Sequence, residues 1–141
     1  MLGLTTLFST ILFGSMVFFV AVAAPVVHRT LEPEPALALS RSLFPRYFLW
    51  GIAVSALALA CAAAAKSTLA LPLGIVVAGF IYSRQLLMPQ ISSAKDQWLT
   101  SDSAQDKARY KALHKRSVII NGAQIFLLLT VVIAGQFFHR A

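Results

Sequence analysis

Apolar residues gather in four long runs: Leu2 to Val27, Tyr47 to Ala65, Leu69 to Met88, and Ser117 to Phe138. A helix that crosses a bilayer needs roughly 20 mostly apolar residues. Each run therefore predicts one membrane-spanning helix. The second and third runs are parted only by Lys66, Ser67 and Thr68. They predict a tight antiparallel hairpin, with Pro72 in the first turn of the third span, where a missing N–H costs little. The first run carries small residues at Ala21 to Ala24, a spacing that signal peptidase sites also use. No Lys or Arg precedes it, however, and its apolar core exceeds the about 7–15 residues usual for a signal peptide. It is read as a retained helix.

The polar pieces between the runs carry structure of their own. After two prolines, Pro33 and Pro35, a short helix is expected from about Ala36 to Leu43. It should lie along the membrane surface, with Pro45 ending it and starting the second span. Pro89 is expected to close the third span. Ser103 followed by Asp106 matches a helix-start capping pattern. No Gly or Pro then intervenes until Gly122, so one helix is expected from about Ala104 to Phe138. At 1.5 Å per residue it reaches roughly 50 Å, so its first turns should project beyond the hydrocarbon.

Charge orients this pattern. Arg29, Arg41, Arg46, Arg84, Lys95, Lys107, Arg109, Lys111, Lys115 and Arg116 fall on one side, against Lys66 and Arg140 on the other. Cytoplasmic loops carry the excess of Lys and Arg. Both termini are therefore expected outside, with the two long connections cytoplasmic. Tyr47, Trp50, Trp98 and Tyr110 lie near the same predicted interface and read as aromatic anchors.

Composition agrees. Of 141 residues, 58% are hydrophobic and 12% charged. A soluble domain would carry about 25% charged residues. The net charge of +7 comes from residues flanking apolar spans, where they set orientation and meet anionic lipid, and it gives no nucleic-acid signature. Cys61 is the single cysteine and sits inside a span. It excludes an intramolecular disulfide and reads as a small hydrophobe. His139 sits beside Arg140 at the chain end and reads as a solvated tail residue.

Small residues predict how the spans meet, because close backbone approach drives helix association in lipid. Gly51, Ser55, Ala58 and Ala62 line one face of the second span. Gly74 and Ala78 serve the third, and Gly14, Ala21 and Pro25 the first. A compact bundle or a homo-oligomer interface would both use them.

The candidate chemistry lies at the start of the fourth span. His114, Ser117, Asn121 and Gln124 fall within about 80° of one another on a helix. Asn and Gln in lipid must find partners, so this stripe should face the bundle interior. His28 and Arg29 end the first span on the same side, and Arg84 ends the third. Four readings are open for this constellation. In the first, the amides are interhelical glue, worth about 0.6 kcal/mol each on average. His28 and His114 could be axial ligands of a b-type haem. The basic mouth could take an anionic headgroup or small anion. His28 and His114 could serve a metal or proton path. Of the two deeper amides, Asn121→Leu is expected to disturb the protein more than Gln124→Leu. The sequence contains no Ser-His-Asp set, HExxH, phosphate loop or CxxC.

Four pieces in order, "GSMVFFVAVAAPVVHRTL", "LFPRYF", "RQLLMPQI" and "LHKRSVIIN", resemble the DUF4149 family of small four-helix membrane proteins, similar to transmembrane protein 205. The resemblance implies a four-span protein with Pro25 near the end of span one, Arg84 and Pro89 closing span three, and His114, Ser117 and Asn121 opening span four. It implies no particular activity.

The expectation is an all-α integral membrane four-helix bundle in the cell (inner) membrane, with a short interfacial helix and a long last helix that extends into the cytoplasm. Its expected role is non-enzymatic binding or an accessory function, through a polar, basic pocket at the cytoplasmic side. A haem-binding redox protein or oxidoreductase is the alternative, as is a subunit of a larger membrane complex. Membrane lipid is the expected contact, with a homo-oligomer or larger complex open and nucleic acid not expected.

Overall fold

The structure, a computed structural model, describes residues 1–140, with side chains to Phe137. His139, read above as a tail residue, has its side chain outside the described residues. The chain folds as four long helices: α1 (Leu2–Thr30), α2 (Pro33–Ala64), α3 (Ala70–Ser101) and α4 (Ala104–Arg140). All four are long and apolar enough to cross a membrane. The protein is an all-helical, multi-pass membrane bundle. Each helix runs antiparallel to its chain neighbours. α1 packs against α2 and α4, and α3 packs against the same two. The ring therefore has two diagonals, α1 to α3 and α2 to α4.

The connections are short. α2 turns into α3 through Ala65 to Leu69, where Lys66 takes the left-handed conformation with φ of 51°. The Ser67 N–H donates to the Ala62 carbonyl at 3.0 Å and the Lys66 N–H to the Ala63 carbonyl at 2.9 Å. This paired pattern satisfies two helix-end carbonyls, usually with glycine at the left-handed position. At the opposite, basic end, Asp102 is also left-handed, with φ of 50°. Ser103 caps α4 as its spacing predicts: its Oγ accepts from the Asp106 N–H at 3.1 Å and bonds the Asp106 carboxylate at 3.0 Å.

Two prolines behave differently from the sequence expectation. Pro45 does not separate a surface helix from a span: α2 is continuous from Pro33 through Ala64, and Ala36 to Leu43 forms its first turns. The proline forfeits one bond, to the Arg41 carbonyl, and more than two helical turns on each side hold the helix together. Nor does Pro89 close α3, which runs on to Ser101. Here the helix widens into a π turn over Ser83–Leu87, ending two residues before Pro89. α1 repeats the device with a π turn over Phe19–Ala23 and Pro25 two residues later. A proline ring collides with the carbonyl four residues back, Ala21 or Gln85 here. Opening the turn from α to π lets that carbonyl move aside and keeps the helix going.

The core runs the length of the bundle through Leu12, Met16, Ala58, Leu73, Phe80 and Leu128. The small stripe of α2 is spent inside it: Gly51, Ser55, Ala58 and Ala62 are all buried. Gly51 lies against the Phe80 ring so closely that a Cβ would overlap it. The small residues of α1 and α3 point elsewhere. Gly14, Ala21 and Ala78 are exposed, and Gly14 and Gly74 have open space where a Cβ would go.

Candidate functional site

The polar stripe of α4 divides along its length. Gln124 is 3% exposed, and its Nε2 donates to the Val76 carbonyl of α3 at 3.0 Å. It fits because Gly79 leaves room: a Cβ there would come within 2.8 Å of Nε2. The Gln124 Oε1 is buried without a partner. One turn toward the basic end, Asn121 is half-buried, and its Oδ1 accepts from the Tyr47 hydroxyl at 3.3 Å. That bond crosses a diagonal of the bundle, from α2 to α4. Ser117 is half-buried, and His114 is exposed. The two amides turn inward and join helices, whereas the histidine lies at the surface.

Tyr47 is the residue that organises this level. Its ring stacks on Phe19 of α1 with centroids 4.1 Å apart. It meets Phe80 of α3 edge-on at 6.3 Å. Together with the hydroxyl bond to Asn121, one side chain touches all three other helices. Phe44 and Phe48 extend the aromatic cluster along α2. The sequence reading placed Tyr47 as an interfacial anchor, because a tyrosine at the start of a span has that pattern whether it faces lipid or the interior.

Beyond Ser117 the chain leaves the apolar crossing, and α3 and α4 continue side by side as a helical hairpin. Here the structure gathers residues that the sequence reading left apart. Trp98 stacks on Tyr110 at 5.6 Å, and Tyr110 on His114 at 5.9 Å, a column of rings from two helices. The Lys95 Nζ lies 4.2 Å from the Trp98 ring centroid and 4.7 Å from that of Tyr110. Lys107 adds its ammonium 5.4 Å from Trp98. The available signal was spacing: Lys95 and Trp98 are three apart and Tyr110 and His114 four apart, each pair on one helix face. It was masked by the expectation that Pro89 ended the helix.

His28 of α1 is exposed and borders a small cleft with Phe19, Ser40 and Phe44. Partial burial first, then the neighbouring His28 and Lys95, push the His114 imidazole below the usual histidine range. Arg29 is exposed at the end of α1. Arg84 lies in the π turn of α3, half-buried, with its Nε buried and without a partner. Among the described residues, the ion pair at this end joins Arg41 of α2 to Asp96 of α3. Arg109 donates to the Gln97 side chain at 3.0 Å within the hairpin.

A haem clamped between His28 and His114 does not fit this geometry. Both histidines are exposed, and the interior beneath them is filled by Phe19, Tyr47, Phe48 and Phe80. As metal ligands the two imidazoles stand short-handed. Among the described residues no cluster of three or more His, Cys, Asp or Glu forms a metal site.

No curated protein and no solved structure matches the chain. One family model does, over residues 7–98, which takes in α1, α2 and α3 as far as Trp98. His28, Arg84, Lys95 and Trp98 lie within the match, and His114, Asn121 and Gln124 lie beyond it. With that much of its length matched, the chain belongs to the DUF4149 family, a domain of unknown function.

Proposed function

We propose that the protein is a non-enzymatic binding or accessory protein of the cell (inner) membrane, similar in kind to transmembrane protein 205. Its basic end faces the cytoplasm and is the end that engages a ligand or a larger membrane complex. Lys and Arg excess favours the cytoplasmic side, which supports this orientation.

One contrast carries the reading. The deeper polar residues, Asn121 and Gln124, are tied between helices. At the basic end Arg41 and Arg109 are bonded across helices, whereas His28, Lys95 and His114, from α1, α3 and α4, take part in no ion pair or side-chain hydrogen bond among the described residues. Arg84 adds a guanidinium nitrogen without a partner. Buried or crowded polar groups left unpaired cost free energy, and a bound partner that satisfies them recovers it. A locked membrane half beneath an unsatisfied basic end suits a receptor more than a catalyst.

The test is native mass spectrometry of the protein extracted in mild detergent, wild type beside Arg84→Gln/His114→Asn. The wild type should retain a bound molecule or subunit that the variant loses. A bare wild-type mass, or an adduct held equally by both, overturns the proposal. A Soret band in the visible spectrum of the same preparation would favour the haem alternative instead.

A further inference from the structure

We infer that Lys95 and His114 form a receptor for a phosphate-bearing anion, walled by the stacked rings of Trp98 and Tyr110. The inference rests on the reading of the basic end as a binding end and names the chemistry of what binds there.

The Lys95 ammonium is held over two aromatic faces, 4.2 Å from Trp98 and 4.7 Å from Tyr110. Cation–π contact fixes the position of an ammonium and leaves its N–H bonds facing away from the rings free to donate. His114 continues the column, its ring 5.9 Å from that of Tyr110. An ammonium from α3 and an imidazole from α4 thus flank the Tyr110 ring. The nearest carboxylate in sequence, Asp96, is engaged by Arg41.

The Lys95 charge disfavours a second charge on His114. An anion between them turns that repulsion into attraction, accepting a charge-assisted hydrogen bond from Lys95 and a hydrogen bond from the His114 imidazole. Phosphate suits such a site because its several oxygens can accept from donors arriving along different directions. Height along the helix agrees. His114 precedes Ser117 by three residues, roughly 4–5 Å of helix rise. That places the donors at the edge of the apolar crossing, where lipid phosphates lie. The same donors are open to water, so a soluble phosphate could reach them as well.

The experiment uses the full chain with Trp50→Phe, so that Trp98 is the sole tryptophan and its emission reports on the column. The protein is placed in phosphatidylcholine nanodiscs and given two probes separately: rising fractions of phosphatidylglycerol, and inorganic phosphate. A saturable change in Trp98 emission is expected in at least one arm. Its midpoint should rise at least tenfold in Lys95→Gln/His114→Asn, recover in Lys95→Arg, and stay unchanged in Lys66→Gln at the other end. A response to phosphatidylglycerol alone assigns the site to lipid headgroups, and one to inorganic phosphate alone assigns it to a soluble phosphate. No response in either arm, or equal midpoints in wild type and the double variant, overturns the inference. If the native-mass adduct described above persists while both arms fail, the binding end stands and its phosphate chemistry falls.

Discussion

The Tyr47 hydroxyl donates to Asn121 Oδ1 at 3.3 Å, joining the diagonal helices α2 and α4 through the middle of the bundle. Neither residue is deeply buried, yet the bond closes a contact that the ring of adjacent helices does not make. Interhelical side-chain hydrogen bonds in membranes average about 0.6 kcal/mol and reach about 1.7. Tyr47→Phe should therefore lower stability by about 0.6 kcal/mol. In a double-mutant cycle with Asn121→Leu, the pair should couple by a similar amount. Unfolding in detergent and denaturant measures both, and strictly additive losses would show that the bond contributes nothing.

Asn121→Leu and Gln124→Leu should differ in the direction expected from sequence, for a reason the sequence did not contain. Leucine at 121 leaves the Tyr47 hydroxyl without its acceptor. Leucine at 124 removes a bond to the Val76 carbonyl but also removes the buried, unpartnered Oε1. Leaving such a group buried costs about 1–3 kcal/mol, which offsets most of the lost bond. Gln124→Leu should sit within about 1 kcal/mol of wild type. A larger loss than that of Asn121→Leu would reverse the ranking.

Two glycines of the core are required by what lies against them. Gly51→Ala drives a methyl into the Phe80 ring, and Gly79→Ala drives one into the Gln124 amide. Each should destabilise by about 1–3 kcal/mol, the usual cost of overpacking. Combining Gly79→Ala with Gln124→Ala should recover part of the loss. If the double variant is no better than Gly79→Ala alone, the close approach of α3 and α4 is not what the glycine serves.

Lys66→Gly is expected to stabilise. Lys66 holds a left-handed backbone at the end of α2, with φ of 51°. That conformation costs an L-residue roughly 1–2 kcal/mol, and glycine escapes the cost while losing some unfolded-state advantage. A net gain of about 0.5–1 kcal/mol should appear as a higher melting temperature. An unchanged or lower one would mean that the lysine side chain contributes more than its backbone loses.

The four crossings, the tight turn between α2 and α3 and the Ser103–Asp106 cap were legible because each depends on local chemistry: apolar length, a short polar gap, a capping oxygen. The inward turn of Asn121 and Gln124 was legible too, since amides in lipid need partners. The fate of the prolines was not. Pro45, Pro25 and Pro89 have the same effect on a helix in isolation, and only packing decides whether the chain stops, continues or widens. Missing the continuation past Pro89 hid the pairing of α3 with α4 and the Trp98–Tyr110–His114 column with it. Tyr47 was misplaced as a surface anchor because its three neighbours, Phe19, Phe80 and Asn121, lie far away in the chain.

The connections at the basic end are only Leu31 with Glu32 and Asp102 with Ser103. Helices reach the solvent there almost without loops. A protease finds little extended chain to grip, and a partner finds no slack peptide to pull into a groove. Whatever engages this end must read rigid cylinders side-on, so its own surface has to match their spacing.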